Sequence, residues 1–460
     1  MREELARRPL VIAFLGLCAG LSAGFGPWNP LWALILVPWL WKRPGIVVLA
    51  VTLAVGWFLR PEPQPVITVK GAVYQGAVTV VDVPSSGRAR TTAIVHARGK
   101  PYRLYLPEDS RANLGDVLAV RADVVPLSVR AVRHHLEVAA LVPKGRTVEV
   151  SRGPPVWRWA VELRRSFLQH VEDHVDPVAV GMVQALCMNV TDDIGRGTYE
   201  DLRRSGTIHV VSASGLHVTV LCAALAWLLL TLPVPRWIQS ILLVSGLFLF
   251  AAAAGFHPPM LRAVLMVLVC SAAYVFRREG DALSALCLAG VADLLWRPAD
   301  VADLGFQLSF LAVGGLVMFG GRPPEFEGAT LWERVVQSAS ALVRASAVAT
   351  VASTPLVSAT FGEVSVVSVL ANLLVVPVLP FVVVAAMVSW IVSFAALPVS
   401  VGLLKVVVEP MTGWIAATVE TIGRWPFAAV PVPPVSTLWL VPVYVGLACL
   451  YEPRRQSSPN

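Results

Sequence analysis

From residue 205 almost to its end, the chain is a succession of apolar runs separated by short charged segments. The runs occupy 207–232, 237–255, 259–276, 282–297, 301–320, 335–360, 363–392 (broken at "PVLP"), 399–423 and 436–451. Most match the length needed to cross a hydrocarbon core roughly 30 Å thick. In that environment every backbone N–H and C=O must be satisfied internally, so these runs are predicted to be helices. Composition agrees: 56% of the 460 residues are hydrophobic and 15% are charged, with mean hydropathy +0.68. Soluble domains carry about 25% charged residues. The predicted fold class is an α-helical polytopic integral membrane protein of about 10–12 transmembrane helices, with a small all-β domain inserted after the N-terminal helices.

The first sixty residues carry a topology signal. "MREELARRPL" places three arginines ahead of an apolar run, "PLWALILVPWLW" leads to Lys42 and Arg43, and a third run leads to Arg60. A signal peptide opens similarly, but more apolar sequence follows here instead of a polar mature domain. Basic residues flanking short loops favour the cytoplasmic side, so the N-terminus is predicted inside and residue 61 outside. The short second run leaves a re-entrant hairpin open. The same rule accounts for the net charge of +7 without a nucleic-acid footprint. Five of the six cysteines lie in apolar runs and none has zinc or redox spacing, so neither metal site nor cofactor is expected.

Residues 63–150 change character. Alternating stretches such as "TTAIVHARG", "PYRLYLP" and "DVLAVRADVV" are bounded by polar turns, which predicts about five short strands in a small antiparallel barrel or sandwich. The Gly-Asp turn in "NLGDVLAV" resembles a strand entry of OB-folds, barrels that commonly grip single-stranded nucleic acid with aromatics and a basic groove. Arg88, Arg90, Arg98, Lys100, Arg103, Arg111 and Arg121 give the region a basic tone, but its aromatics are only Tyr74, Tyr102 and Tyr105, so a bracing role competes with a nucleic-acid grip. In 154–172, Val156, Ala160, Leu163, Phe167 and Val171 share one helix face and Arg158, Glu162, Arg165 and Gln169 another. This predicts an interfacial helix, or a connecting helix packed on the barrel. The expected organisation is N-terminal helices at 1–62, an extracytoplasmic OB-like domain at 63–150, a connector at 151–204, a polytopic domain at 205–451 and a polar tail at 452–460.

Polar groups inside membrane spans are costly unless paired or wet. Arg262 lies one turn into its run, where a cation opposes the helix macrodipole and calls for a counter-charge or an anionic substrate. Gln307, Ser309 and Asn372 fit either interhelical hydrogen bonds or a wet lining. "SGTIHVVSASGLH" gathers Ser205, His209, Ser212, Ser214, Gly215 and His217 at the mouth of the first long run. On a continuous helix Ser205, His209 and Ser212 share a face, and Ser214 and His217 share another. A serine hydrolase needs a base within reach of its nucleophile and a group to orient that base. No acid is placed to do so, and Ser212 stands where a protease turn has Gly. A small-solute transporter is a third class, but the inverted repeats it predicts are not evident.

"SGTIHVVSASGLHV", "HPPMLRAVLM", "PADVADLGFQLSFLAVGG" and "STPLVSATFGEVSVVSVLANLLVVP", in this order, resemble the ComEC competence family. The resemblance is close over 185–380 and looser over the N-terminal helices and OB-like region. It implies an inner (plasma) membrane channel that passes single-stranded transforming DNA, with membrane lipid around it. It also implies an extracytoplasmic DNA receptor and a cytoplasmic helicase or ATPase as partners. A second copy of the chain is a partner left open. The family motifs map onto His209, Ser212, Ser214, Gly215, His217, Arg262, Gln307, Ser309 and Asn372 as channel positions, none of them catalytic. Arg203 and Arg204 are added as DNA-backbone contacts. The family's Gly-Asp position corresponds to Asp192 or Asp193 in "MNVTDDIGRG". Many members end in a metallo-β-lactamase-like nuclease domain. No His-x-His-x-Asp-His cluster occurs here, so degradation of the other strand is expected from a separate nuclease. No phosphate-cradling Gly-x-x-x-x-Gly-Lys-Ser/Thr loop occurs either, so the chain is not expected to hydrolyse nucleotide.

Overall fold

A computed structural model describes residues 9–22, 50–56, 73–80, 85–87, 90–97, 100–106, 115–125, 139–143, 148–151, 154–191, 194–212, 215–277, 281–321, 330–433 and 444. The predicted second membrane run, the last span at 436–451 apart from Tyr444, and the C-terminal tail lie outside the described residues.

The alternating segments form strands β1 (Val73–Val80), β2 (Ser85–Gly87), β3 (Arg90–Ala97), β4 (Lys100–Leu106), β5 (Val117–Val125), β6 (Ala139–Pro143) and β7 (Val148–Ser151). Every second residue of β5 turns inward, as period-two side-chain geometry requires. The sheet closes on itself: β1 pairs with β3, β3 with β4, β4 in parallel with β6, β6 with β5, and β5 with β1. Val78, Val95, Leu104, Leu118, Val120 and Leu141 fill the ring. The Gly-Asp turn is present before β5. Gly115 adopts φ +84°, its N–H donates to Val80 O at 2.8 Å, and Asp116 O accepts from Val80 N at 2.9 Å. β2 and β7 extend the ring beyond the five strands expected.

The helical part begins with α1 (Pro9–Ser22), whose Phe14 ring stacks 4.8 Å from Phe310. After the sheet comes α2 (Pro155–His174), the amphipathic helix, with Phe167 and Val171 fully buried and Arg158, Glu162 and Arg165 exposed. Its apolar face packs on helices of the polytopic part. Arg164 Nη1 donates to Ala253 O at 3.0 Å, and His170 Nε2 lies 3.1 Å from Ser389 Oγ and 3.2 Å from Ser400 Oγ. α3 (Pro177–Met188), capped by Asp176 and ended by Asn189 at φ 56°, is a buried apolar helix where the sequence suggested only connector. α4 (Arg196–Arg204) follows.

Where one span over 207–232 was expected there are two helices, α5 (Ile208–Val211) and α6 (Gly215–Leu230), with the chain extended at Ser212. Beyond lie α7 (Arg236–Ala253), α8 (Pro258–Val275), α9 (Ala282–Trp296), a 3-10 turn (Pro298–Ala302) and α10 (Leu304–Phe319). Next come α11 (Leu331–Phe361), a strand β8 (Glu363–Ser365), α12 (Ser368–Val375) and α13 (Leu379–Ser393). Pro377 and Pro380 break the run between α12 and α13, as expected at "PVLP". α14 (Leu397–Leu403) passes through a π turn (Leu404–Val408) into α15 (Glu409–Gly423), and β9 (Ala429–Pro431) pairs with β8. Among the described residues, four segments are long and apolar enough to cross a membrane: Arg236–Ala253, Leu331–Phe361, Ser368–Ser393 and Leu397–Gly423. Shorter apolar helices accompany them, and this is the make-up of a polytopic membrane protein.

Loop contacts sort into two ends. At one, Arg297 Nη1 donates to Phe256 O at 3.2 Å, Arg203 pairs with Glu363, and β8 meets β9. At the other, the Arg236 guanidinium lies 4.9 Å from the centre of the Tyr274 ring.

Candidate functional site

A cavity of about 1420 Å³ runs between α6 and α8 on one side and α10, α11 and α12 on the other. Residues from Gly215 to Leu230 of α6 line it, as do residues from Pro259 to Tyr274 of α8. At about 1.5 Å per residue it follows these helices for roughly 22 Å. It therefore reaches from the end that holds Arg203 and Glu363 to the end that holds Gln239 and Tyr274.

The sequence builds this wall in recognisable steps. Gly255 (φ +101°) and Phe256 (φ +48°) turn the chain sharply, and prolines in the first turn start α8 where no N–H donor is needed. Arg262 then faces the cavity at 3% exposure, with its guanidinium 5.4 Å from the Phe310 ring centre. Gly215 opens α6 beside it, and a Cβ there would stand 3.0 Å from Arg262 Nη2. Asp303 caps α10 by accepting from Phe306 N at 2.8 Å, which sets Ser309 toward the cavity.

His209, Ser212, Gly215, Arg262, Ser309, Asn372 and Arg203 all line this space. Asn372 Nδ2 donates to Ser346 Oγ at 2.9 Å, joining α12 to α11. Arg203 is held by Glu200 at 2.5 Å and by Glu363. Three expected positions do not line it. His217 is buried in α6 away from it; Gln307 Nε2 donates to Val301 O at 2.9 Å; Arg204 Nη2 donates to Trp425 O at 3.1 Å and ties α4 to the segment after α15. Ser214, Asp192 and Asp193 lie outside the described residues. The continuous-helix face predicted for Ser205, His209 and Ser212 does not form. Gly206 (φ +74°) turns the chain after Ser205, which is buried and bonded to Thr207 Oγ1 at 2.8 Å.

Thr354, which flanks Pro355 in its apolar run, and three further hydroxyl residues of α11 that were not singled out, Ser346, Thr350 and Ser353, form a stripe down the opposite wall. Their spacing of four, three and one is a helix-face signal legible in "SAVATVAST". Thr354 Oγ1 donates to Thr350 O at 2.7 Å and Ser353 Oγ to Ala349 O at 2.8 Å, so these two hydroxyls are satisfied within their own helix. The lining is richer in hydroxyls than in cations, because Glu200 and Glu363 offset Arg203. His209 Nδ1 bonds to the backbone O of Gly206 at 3.2 Å. Among the described residues no group of His, Cys, Asp and Glu is arranged to hold a metal ion.

No solved structure matches the chain. It is similar to ComE operon protein 3 of Bacillus subtilis (strain 168), with 29% identity over 221 residues, 48% of this chain and 27% of that protein. It is similar also to Competence protein ComA of Neisseria gonorrhoeae, with 30% identity over 289 residues, 60% of this chain and 39% of that protein. An uncharacterized protein of Aquifex aeolicus (strain VF5) shares 34% identity over 110 residues, 24% of this chain and 25% of that one. The matches thus span well under half of each relative. A family model described as "Competence protein" matches residues 186–455, more than half of the chain and the whole of the cavity wall. By that match the chain belongs to the competence protein family.

Proposed function

We propose that the chain is an inner-membrane channel through which single-stranded DNA enters the cytoplasm during natural competence. The observation that carries this reading is the cavity running the length of α6 and α8. Its volume of about 1420 Å³ exceeds the roughly 300–1,000 Å³ of a small-molecule pocket, which favours a polymer over a small solute. What supports a strand read without regard to sequence is that Arg262 offers a positive charge and that hydroxyls and His209 place polar groups along an otherwise largely apolar wall. His209, Ser212, Gly215, Arg262, Ser309 and Asn372 are the positions assigned to the path, with Ser214 beside them in sequence.

The five-stranded ring, closed with one parallel pair between β4 and β6, supports an OB-like domain. In this reading the domain lies outside the cytoplasm and the N-terminus inside. Arg236, Arg277, Arg334 and Arg344 gather toward one end of the helical part, as cytoplasmic loops do. A surface receptor delivers the strand and a cytoplasmic helicase or ATPase draws it in.

The test is uptake of labelled DNA in a naturally transformable host. Deletion is expected to abolish internalisation while surface binding persists. Arg262→Gln is expected to lower it about tenfold, the effect of 1.4 kcal/mol, with the protein still in the membrane. Normal internalisation in the deletion strain overturns the reading.

A further inference from the structure

A ring lies against the Arg262 guanidinium. Its central carbon is 5.4 Å from the centre of Phe310, within the reach of a cation–π contact. Nε and Nη1 of Arg262 are buried and have no hydrogen-bond partner. Asp293, fully buried on the neighbouring helix α9, does not bond to it: both its carboxylate oxygens lack a partner as well.

That ring belongs to a stack. Phe306 and Phe310 are four residues apart on α10, where side chains are neighbours, and their ring centres lie 4.4 Å apart. Phe14 of α1 joins them, 4.8 Å from Phe310 and 6.4 Å from Phe306. Gly290 of α9 closes the group. A Cβ there would stand 2.8 Å from Phe310 Cε1 and closer still to the Phe14 ring, so a larger residue displaces both. Leu17, Leu21, Leu294 and Val301 pack around the rings. Of the "GFQLSF" run, then, Ser309 lines the cavity, Gln307 turns to Val301 O, and the two phenylalanines build the stack. Helix α1 precedes the family match at 186–455, yet it reaches the buried cation through Phe310.

We propose that Phe310, backed by Phe14 of the N-terminal helix, is the platform that holds Arg262 at the cavity wall. The inference rests on the DNA-path reading for the anion that Arg262 receives. A carboxylate partner would fix the guanidinium but cancel its charge and occupy its N–H groups. A ring face fixes it and does neither, and the contact gains strength where water is excluded. The charge and the Nε and Nη1 donors are left for a phosphate. Phe310 and Phe14 act through Arg262, as positioning residues, and α1 is a working part of the path as well as an anchor.

The test uses the purified full-length chain in lipid nanodiscs and a fluorescein-labelled oligodeoxythymidylate. Phe310→Leu is expected to weaken binding about tenfold, and to weaken it no further in the Arg262→Gln background. Phe14→Leu should cost about threefold alone and nothing more once Phe310 is leucine. Placing 3,4,5-trifluorophenylalanine at 310 keeps the shape of the ring and drains its face of electron density, so it should reproduce most of the Phe310→Leu loss. A ring that only fills space predicts wild-type affinity for the fluorinated protein, or an equal Phe310→Leu loss with and without Arg262; either result overturns the platform. Wild-type binding by Phe14→Leu overturns the part given to α1. Thermal unfolding reports on the contact without DNA. Fluorination at 310 should lower the melting temperature more in the wild-type background than in Arg262→Gln, and equal shifts overturn the contact. If the oligonucleotide binds to none of these proteins, the DNA-path reading falls, while the thermal comparison still decides whether ring and guanidinium are partners.

Discussion

Gly206 carries a φ of +74°, and a Cβ there would lie 2.6 Å from Ser368 Cβ and 3.0 Å from Ser365 Oγ. Two independent costs therefore meet in one residue: a left-handed backbone and a clash with the start of α12. Gly206→Ala is expected to destabilise the protein by about 2 kcal/mol, seen as a lower melting temperature in detergent. An unchanged melting temperature would show that the turn is not held as described. The turn also explains why the serine–histidine cluster was misread at sequence level. A periodicity argument assumes an unbroken helix, and Gly206, together with the extended Ser212, breaks it twice. Arg262 was legible because a cation in an apolar run is conspicuous. Asp293 was not, because "CLAGVADLLW" offers one acid near a run's end, where a lone carboxylate ordinarily reaches water; only the packing of α8, α10 and α1 around it removes that exit.

At the scale of elements, the long apolar runs translated well into α7, α8, α9, α10 and α11, since run length and hydropathy are themselves the physical cause of spanning. The short elements did not. β8 is three residues long and exists only because β9, some sixty positions later, pairs with it, and no local pattern encodes a partner at that distance. The amphipathic face of α2 was visible, but its target was not, and His170 supplies one of its anchors. Burial first, and the neighbouring His174 second, hold His170 below its ordinary value of 6.5, with Asp173 opposing. Folding therefore favours the neutral imidazole, which bonds both Ser389 and Ser400. Above 6.5 neither state holds the proton and stability does not depend on it. As pH falls below 6.5 the unfolded chain binds a proton that the folded chain resists, so stability is lost on acidification. Thermal melts across that range should show a decline that is reduced in His170→Gln. A variant with the same acid dependence as wild type would assign the decline to other groups.

Taken whole, the molecule joins a closed β ring to a helical body with two distinct ends, and the ends can be told apart chemically. Gly321, after α10, lies against Arg344, thirteen residues into α11: a Cβ on Gly321 would stand 3.0 Å from the Arg344 guanidinium carbon. The first turns of α11 thus project beyond its neighbour by roughly 20 Å at 1.5 Å per residue. Exposed Leu331, Trp332 and Val335 sit on this overhang, capped by Thr330 and Glu333. A 31-residue helix is longer than the bilayer core requires, which is about 20 residues, so the overhang lies in the interface or the water beyond it. Under the proposed topology this end is cytoplasmic and the β ring is not. In a cysteine-free background, Val150→Cys on β7, 61% exposed, should react with a membrane-impermeant maleimide in intact spheroplasts. Glu333→Cys should react only after lysis or in inverted vesicles. Both positions reacting from the same side would place an odd crossing where the contacts of α2 and α3 now place none, and would reverse the direction assigned to the cavity. The reciprocal pattern would keep the path and invert it, putting the mouth guarded by Arg203 and Glu363 at the exit instead of the entrance.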